Sequence, residues 1–383
     1  MNKMKIVYIY KSIAHLAGTE RILTDKMNYL SNENQFDIFL ITYEQNNCPL
    51  SFKIDSKIKH IDLGVNFYAT YGHSLFKRAY MYLQMRSLFK KKLNKVILEI
   101  NPDIIITTTY SYKILDIIIK SSKKAKYILE SHVAKESVLK IKDFTNPLVK
   151  YIASFYDKHI LKTISKFNYL ITLTQDDKVS WNNITETKVI PNSIKTNSKT
   201  ISSLNTNKII SVGRLHEDKG YDLLINAWEI VHVKHPEWEI HIYGDGSQKD
   251  KLKQTIETKK LKSSFYIHPP TFKIDEEYCK YSLYVMSSRY EGFGLVLAEA
   301  MSHGIPCISF NCPYGPSDII KSNEDGLLVE NGNTEKLANA ICFLIENEFI
   351  RKQMGKKAII NIQRYSENNI KDKWIELFNS LTN

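Results

Sequence analysis

Short apolar, β-branched runs alternate with longer amphipathic segments along the whole chain. Continuous apolar runs of this kind are typical of strands buried on both faces, so they predict parallel sheets with helices on both sides. Because the alternation recurs in both halves, we predict two doubly wound α/β units. The predicted strands of the first half are Lys5–Tyr10, Phe36–Thr42, Ile104–Thr108, Tyr127–Glu130 and Tyr169–Leu173. Those of the second half are Lys208–Val212, Glu239–Tyr243, Phe265–His268, Leu283–Met286, Pro306–Ser309 and Leu327–Val329.

A polar stretch without periodicity separates the two halves. It follows Pro191 and ends at Asn207, where a new apolar run opens. A chain of 383 residues is also too long for one ordinary core, which favours two domains. We predict an N-terminal domain over residues 1–192, a linker over 193–206 and a C-terminal domain over 207–365. The amphipathic segment 366–383 is expected to form a helix that could cross back to the first domain.

Charge is distributed unevenly between the halves. With 43% hydrophobic and 25% charged residues, the composition is that of a folded soluble protein. Residues 1–200 contain 31 Lys and Arg against 17 Asp and Glu, a net +14, whereas residues 201–383 have a net −2. This asymmetry indicates an anionic partner for the first half, such as a phosphorylated substrate, an anionic lipid or nucleic acid. Since no nucleic-acid-binding motif accompanies it, a nucleic-acid partner is not expected.

Cysteine usage and the N-terminus bear on the compartment. The five cysteines form no Cys-x-x-Cys pair and have no histidine at zinc-finger spacing, which favours free thiols in a reducing compartment. The apolar run Ile6–Tyr10 is too short for a signal-peptide core, and no stretch reaches membrane-spanning length. We therefore expect a cytoplasmic protein, or one bound to the cytoplasmic face of the inner membrane.

The segment Ser288–Ala300 contains the most informative motif. It follows an apolar strand and should open a helix near Leu295, whose N-terminal N–H groups favour a diphosphate. Glu299, in the second turn, can accept both hydroxyls of a ribose, and Glu291, before the helix, would face a sugar. Glycines at such a turn allow close approach of the backbone. The residues expected to bind the nucleotide here are Gly292, Phe293, Gly294, Leu295, Val296 and Glu299.

A second motif combines two cations. Ser211–Leu215 ends the first strand after the linker and contains Arg214, and Lys219 follows five residues later. Cations at the carboxyl end of a strand lie where α/β sheets bind ligands. Arg214 can donate two parallel hydrogen bonds to phosphate oxygens, and Lys219 adds a point charge.

These two motifs resemble those of family 4 retaining glycosyltransferases of GT-B fold. Glu291 and Glu299 match the Glu-x7-Glu signature, and Arg214 and Lys219 match Gly-Arg-Leu-x3-Lys-Gly, whose cations contact the donor diphosphate. The resemblance is specific over about residues 207–345. It implies two Rossmann-like domains facing a central cleft, a nucleoside-diphosphate sugar as donor, no further cofactor, and retention at the anomeric carbon. Arg214, Lys219 and Glu291 are then the expected catalytic residues.

The first domain resembles the family at pattern level. Ala17–Arg21 is similar to a Gly-Gly-x-Glu loop that approaches the transferred sugar and the phosphates, with Ala17 at the first glycine and Gly18 at the second. Gly18 is therefore an expected donor-binding residue. His132, after the fourth apolar run, falls where the family often has a histidine near the sugar, so we expect it at the catalytic site.

The donor and acceptor are less constrained. The segment Cys312–Ile320 resembles a stretch common in bacterial capsule, O-antigen and lipid-linked oligosaccharide transferases, which favours a UDP-sugar donor, with GDP-mannose as the alternative. The implied acceptor is a growing, lipid-linked surface glycan. A sugar-nucleotide epimerase or a phosphorylase of the same fold remains a rival reading. The chain has no Asp-x-Asp pair, so we expect no essential metal.

One predicted helix over residues 75–93 suggests a membrane surface. Leu75, Ala79, Tyr82, Leu83 and Phe89 are expected to share one broad side. The basic residues Lys77, Arg78, Lys91 and Lys92 lie mostly away from it, although Arg86 and Lys90 intrude. A basic amphipathic helix of this kind can lie in the headgroup layer of an anionic membrane.

Overall fold

The computed structural model describes residues 3–14, 17–133, 135–139, 146–196 and 200–382. Of residues 75, 136, 137 and 148 only the backbone is described. The chain divides into two compact units. Unit 1 comprises Met1–Ile190 with Lys371–Asn383, and unit 2 comprises Pro191–Ile370.

Unit 1 is built on a parallel sheet of seven described strands in the order β3-β2-β1-β4-β5-β6-β7. The strands are β1 (Met4–Tyr10), β2 (Phe36–Thr42), β3 (Lys59–Asp62), β4 (Ile104–Thr108), β5 (Lys126–Glu130), β6 (Tyr169–Thr172) and β7 (Thr187–Val189). The helices are α1 (Gly18–Ser31), α2 (Leu75–Ile100), α3 (Leu115–Ile118), α4 (Lys135–Val138), α5 (Pro147–Ile164), α6 (Gln175–Ser180) and, from the end of the chain, α14 (Glu367–Thr382). Short 3₁₀ turns occupy Phe67–Thr70 and Thr109–Ser111.

Unit 2 has a parallel sheet of six described strands in the order β10-β9-β8-β11-β12-β13. The strands are β8 (Lys208–Val212), β9 (Glu239–Tyr243), β10 (Phe265–His268), β11 (Leu283–Met286), β12 (Cys307–Phe310) and β13 (Gly326–Val329). The helices are α7 (Tyr221–Lys234), α8 (Lys249–Thr258), α9 (Ile274–Tyr278), α10 (Leu295–Ser302), α11 (Pro316–Ile319), α12 (Thr334–Glu346) and α13 (Glu348–Asn361). Further 3₁₀ turns occupy Glu217–Lys219 and Ile362–Tyr365.

The buried strands explain why the apolar runs predicted the fold. All five residues of β4 and all four of β11 are buried, as a sheet covered on both faces requires. Phe89 and Trp181 lie in the core of unit 1, and Trp228 and Phe310 in that of unit 2. The prediction of two doubly wound parallel α/β units is confirmed.

The last helix, α14, packs on unit 1 although its first residues belong to unit 2. Trp374 and Phe378 are buried, and the ring of Phe378 meets Phe36 edge to face with centroids 5.7 Å apart. Lys371 Nζ lies 2.8 Å from a carboxylate oxygen of Glu33 in unit 1. The hydrophobic stripe read from the sequence is thus the stripe that the helix buries.

The described residues of the predicted linker belong to unit 2. The Ile194 N–H donates to the carbonyl of Tyr365, and the Ser202 hydroxyl donates to the carbonyl of Tyr281 over 2.6 Å. Leu204 is buried. Residues 197–199 of the predicted linker lie outside the described part of the chain.

Candidate functional site

The predicted donor-binding residues lie on two loops at the middle of the unit 2 sheet. Strands β8 and β11 are neighbours there, and the chain leaves them in opposite directions along the sheet. The crevice outside the carboxyl ends of such strands is the usual ligand site of open α/β sheets. We call residues 213–220, after β8, the first donor loop, and residues 287–294, after β11, the second donor loop.

The two donor loops are packed against each other through their backbones. The Arg289 N–H donates to the carbonyl of Asp218 over 2.8 Å, and the Ser287 hydroxyl donates to the carbonyl of Lys219 over 3.0 Å. Gly220 has φ +62°, and a Cβ there would lie 2.0 Å from the Ser287 carbonyl oxygen. Only glycine fits this close approach, so the pair of loops forms one local structure.

Lys219 and Glu291, predicted to serve the diphosphate and the sugar, form an ion pair. Lys219 Nζ lies 2.7 Å from Glu291 Oε1, and their side chains are 17% and 9% exposed. The Ser288 hydroxyl donates to the same carboxylate oxygen over 2.6 Å. The pair is therefore largely shielded from water, and its electrostatic coupling is stronger than that of a surface pair.

Arg214 is the exposed cation of the site. Its side chain is 70% exposed, and Nη2 lies 3.5 Å from Asp218 Oδ2, a distance at which the attraction is weak. The guanidinium is therefore held loosely in the first donor loop.

The second donor loop leads directly into helix α10. Gly294 has φ +85° and precedes Leu295, the first helical residue, which is where the sequence placed the helix start. Gly292, Leu295 and Val296 are partly exposed, whereas Phe293 is buried and its ring meets Tyr365 edge to face at 5.4 Å. Phe293 therefore anchors the loop rather than presenting its side chain to a ligand. The first N–H groups of α10 remain the predicted diphosphate contacts.

Residues after β12 pack against the second donor loop. The Glu291 N–H donates to the Pro313 carbonyl over 2.7 Å, and the Tyr314 N–H donates back to the Glu291 carbonyl. Gly315 has φ +105°, and a Cβ there would lie 2.0 Å from the Phe293 carbonyl oxygen. The stretch around Pro313 therefore fixes the backbone on which Glu291 stands.

Glu299 lies in the second turn of α10 and is partly exposed. The buried Tyr278 hydroxyl donates to Glu299 Oε2 over 3.4 Å, and the Tyr278 ring stacks on His303 at 5.2 Å. These contacts restrain the carboxylate on the helix surface near the donor loops.

The sequence predicted no role for Arg289, a residue of the second donor loop whose guanidinium contacts the first. Its guanidinium donates to both carboxylate oxygens of Asp222 at 2.9 and 2.7 Å and to the carbonyl of Glu217. Hydrogen bonding from Arg289 lowers the pKa of Asp222. A bidentate pair of this kind holds geometry as well as charge, so Arg289 is a positioning residue for the site.

The predicted site residues of unit 1 lie at the start of α1 and just after β5. Gly18 is the first residue of α1, and Ala17 before it is extended, with φ −119°. A Cβ on Gly18 would meet nothing within 4 Å. Packing in this unit therefore does not require glycine at position 18.

His132 stands at the end of a buried chain of charged groups. Its Nε2 lies 3.0 Å from Glu130 Oε2, and Lys26 of α1 contacts the same carboxylate. Lys26 Nζ also lies 4.3 Å from the centroid of the Trp374 ring in α14. Lys26 and Glu130 are both buried. Glu130 is two residues before His132 in the sequence, so its proximity to the imidazole could be expected. Lys26 could not be predicted, because it is 104 residues away from Glu130.

Burial and ion pairing shift the pKa values of Glu130 and Lys26 in opposite directions. Desolvation would raise the pKa of Glu130, but Lys26 and His132 outweigh it and the pKa is lowered. Desolvation lowers the pKa of Lys26 in spite of Glu130. The carboxylate is therefore held in its charged form, and its Oε2, shared with Lys26, orients the imidazole of His132.

Within the described ranges, no group of three His, Cys, Asp or Glu side chains is arranged to hold a metal ion. Nor does any described helix combine the length and apolarity that crossing a membrane demands.

Comparison with known proteins finds similar sequences and structures. Residues 193–360 match the family described as Glycosyl transferases group 1. The chain is 26% identical over 381 residues to an uncharacterized glycosyltransferase of Haemophilus influenzae, covering 97% of this chain and 98% of that protein. It is 35% identical over 229 residues to a poly(ribitol-phosphate) alpha-N-acetylglucosaminyltransferase of Staphylococcus aureus, covering 58% of this chain and 46% of that protein. The chain thus spans about half the length of that relative.

The structural comparison covers the whole chain. A mutant of S. aureus TarM, solved in complex with Fondaparinux, alpha-GlcNAc-glycerol and UDP, has a TM-score of 0.75 at 18% identity. The match covers 98% of this chain and 100% of that one. The fold is therefore GT-B. Residues 193–360 match the model of the group 1 glycosyl transferases, and the sequence resemblance to glycosyltransferases of GT-B fold is confirmed.

Proposed function

We propose that the chain transfers a hexose or N-acetylhexosamine from a nucleoside-diphosphate sugar, with UDP-sugars favoured, to a growing bacterial surface glycan. The observation that carries this proposal is the shielded Lys219–Glu291 ion pair where the two donor loops meet. It sets a cation for phosphate beside a carboxylate for sugar hydroxyls. UDP in the TarM complex supports the donor, and the transfer of N-acetylglucosamine to poly(ribitol-phosphate) named for the S. aureus relative supports a surface polymer as the acceptor.

The catalytic task of unit 2 is to stabilise the leaving nucleoside diphosphate. Lys219, Arg214 and the first N–H groups of α10 are preorganised donors for its growing charge. In the retaining reaction proposed, the bond from the anomeric carbon to the phosphate oxygen breaks as the acceptor hydroxyl attacks from the same face. The hydroxyl proton passes to the departing phosphate oxygen, so no side chain has to act as general base.

The remaining site residues hold the donor. Glu291 accepts hydrogen bonds from the sugar hydroxyls, Glu299 accepts those of the ribose, and Gly292–Val296 border the diphosphate. In unit 1, His132 contacts the transferred sugar and Gly18 lets the start of α1 approach it. With Lys219, Arg214 and a helix N-terminus on the phosphates, the reaction needs no metal ion.

The donor and the absence of a metal requirement are tested together by thermal shift in EDTA. A UDP-sugar should stabilise the protein, because a ligand that binds only the folded state at 100 times its Kd contributes about 2.7 kcal/mol. For a unit of this size that is roughly 5–10 °C in Tm. The panel contains UDP-glucose, UDP-N-acetylglucosamine and GDP-mannose, with UMP as a control that lacks the second phosphate.

Each outcome of the panel has a distinct meaning. A shift with GDP-mannose alone would replace the donor, and a shift that needs added manganese would contradict metal independence. If no sugar nucleotide stabilises the protein in either buffer, the proposed function itself is wrong.

We also propose that unit 1 docks on an anionic membrane that presents a lipid-linked acceptor. Helix α2 supports this, but not as the sequence predicted. The prediction of a single apolar side is wrong, because Phe89 is fully buried in the core whereas Leu83 is 64% exposed. The side chain of Leu75 is not among those described. Instead, the exposed stripe on the first half of the helix consists of Phe76, Tyr80 and Leu83.

The basic residues of α2 also fall into two groups, one in contacts within unit 1 and one exposed. Lys92 Nζ donates to the Leu63 carbonyl over 2.6 Å, and Arg86 pairs with Asp116 at 2.6 Å, so both serve the fold. Lys90 and Lys91 are exposed and continue the stripe of apolar side chains at helical spacing. Apolar side chains followed by two lysines on one face suit the headgroup layer of an anionic bilayer.

Co-sedimentation with liposomes tests this docking. Binding should require anionic lipid and fall with salt, and K90E/K91E should weaken it at least 10-fold, because each lysine near such a surface contributes about 1 kcal/mol. The matched control is K251E/K253E, which reverses two exposed lysines of α8 in unit 2. Wild-type protein that stays in the supernatant at low salt would favour a soluble acceptor.

A further inference from the structure

Unit 1 contains a cavity of about 550 Å³ at the carboxyl ends of its central strands. Lys11 follows β1, Tyr43 and Glu44 follow β2, and residues 110–114 follow β4. The sheet order reverses between β1 and β4, which is where an open α/β sheet offers a ligand site. The volume falls in the range of small-molecule sites, about 300–1,000 Å³. We call this cavity the tyrosine pocket.

Aromatic rings form most of the wall. Eight of the lining side chains are Tyr or Phe. Tyr68, Tyr71 and Tyr110 are 53%, 52% and 42% exposed, so part of each ring is accessible to a ligand, although Lys11 lies over Tyr68 and Arg78 over Tyr71. Tyr156 of α5 and Tyr82 of α2 also line the pocket. Flat rings with a polar hydroxyl at one end suit sugar or polyol units, which present C–H groups on one face and hydroxyls around the edge.

Positive charge is in excess among the lining residues. Lys11 Nζ is balanced by Glu44, whose Oε2 lies 3.3 Å away, and it also donates to the Tyr68 hydroxyl over 2.8 Å. Arg78 lies over the Tyr71 ring at 4.5 Å, and Lys113 lies near Tyr112. Across the described residues, no carboxylate reaches ion-pair distance of Arg78 or Lys113. These two cations therefore have the capacity to bind an anion.

We propose that the tyrosine pocket binds a segment of the acceptor built of sugar or polyol units that carry an anionic group. The tyrosine faces pack on the units, Glu44 accepts from their hydroxyls, and Arg78 and Lys113 hold the phosphodiester or carboxylate. This inference rests on the proposed function, since it names the class of acceptor. A hydrocarbon chain fits less well, because it would bury Arg78 and Lys113 without a counter-ion.

Binding of soluble probes to the full chain tests the pocket without requiring turnover. The probes are a glycerol-phosphate hexamer, tetragalacturonate and neutral maltotetraose, followed by saturation-transfer NMR and calorimetry. At least one anionic probe should bind more tightly than maltotetraose. R78Q/K113Q should weaken it by about 10-fold or more, as expected for lost charged hydrogen bonds. Whichever anionic probe binds better identifies the anion as phosphodiester or carboxylate.

Two variants complete the design. Y71A/Y110A removes ring faces without changing charge and should weaken all probes, including maltotetraose. K123Q/K124Q, which removes two exposed charges of unit 1 outside the pocket, should bind every probe as the wild type does. If one double variant fails to fold, R78Q alone, at the pocket rim, carries the test.

Calorimetry with UDP on the same samples separates this inference from the proposed function. Probes that fail to bind, or that bind R78Q/K113Q and wild type equally, while UDP binds normally, would overturn the pocket and leave the donor site intact. Anionic probes that bind as expected to a protein that ignores UDP would sustain the pocket and overturn the proposed transfer reaction.

Discussion

Replacing Lys219 with alanine is expected to cost UDP affinity about 10–100-fold, because one charged hydrogen bond contributes about 1.5–3 kcal/mol. Arg214→Ala should cost a similar factor. Glu291→Gln should behave differently. The amide can still accept from Ser288, which lies 2.6 Å from the native carboxylate. Lys219 loses its counter-ion, so its charge is fully available to the diphosphate. We expect UDP affinity equal to or tighter than wild type, with kcat reduced by about 100-fold or more.

The ion pair also predicts non-additivity. In Lys219→Ala the carboxylate of Glu291, only 9% exposed, is left without its cation. A double-mutant cycle of K219A and E291Q should therefore show a coupling energy of about 1–3 kcal/mol in kcat/KM. Lys259→Ala is the matched control, because it removes a lysine paired with Glu229 at 2.6 Å elsewhere in unit 2. Wild-type UDP affinity in the R214A/K219A double variant would refute the donor-site assignment.

The largest loss of stability is expected at the buried chain of Lys26, Glu130 and His132. Lys26→Met leaves the Glu130 carboxylate buried beside a thioether, and breaking a buried pair in this way costs about 3–5 kcal/mol. Lys124→Met, at an exposed pair with Asp103, should cost about 0–1 kcal/mol. Urea unfolding of each variant measures both values.

The double variant K26M/E130L separates stability from function. Replacing a buried pair with apolar side chains of similar volume is often neutral, so most of the stability should return. Turnover should not return, since His132 then lacks the carboxylate that orients it. Recovery of both would show that Glu130 serves only the fold.

The lowered pKa of Glu130 gives this pair a pH dependence with a definite sign. Its stabilising contribution is present above the ordinary glutamate pKa and is lost as the pH falls through the lowered folded-state value. The acid limb of the stability curve should therefore be shallower in K26M/E130L than in the wild type.

The sequence predicted the central strands because burial on both faces leaves a continuous apolar run. It missed β3 (Lys59–Asp62) and β7 (Thr187–Val189), which lie at the two edges of the unit 1 sheet. Their residues are only partly buried or exposed, so polar side chains are tolerated and no apolar run forms. An edge strand forms because it pairs with a neighbouring strand, and the residues of the edge strand alone do not reveal that pairing.

The same limit applies to the site. The motifs identified Lys219 and Glu291 individually, but they are 72 residues apart and no spacing rule brings them together. Lys26 and Glu130 are separated by 104 residues. The 23 tyrosines of the chain could not be assigned to one wall, because the tyrosine pocket draws them from several separate segments. The start of helix α10 could be predicted, because Gly294 and Leu295 are neighbours in the sequence and no distant contact is needed to place the turn.

Helix α14 sets an order of events during synthesis. Residues 191–370 are contiguous, so unit 2 has every strand and helix it needs as soon as they leave the ribosome. Unit 1 is translated first but lacks Trp374 over Lys26 and Phe378 against Phe36 until the last helix emerges. Until then the apolar surface around Phe36 and the ion pair of Lys26 with Glu130 are incompletely covered. Exposed apolar surface of this kind makes nascent chains prone to aggregation and dependent on chaperones. Completion of unit 1 therefore has to follow the synthesis of unit 2.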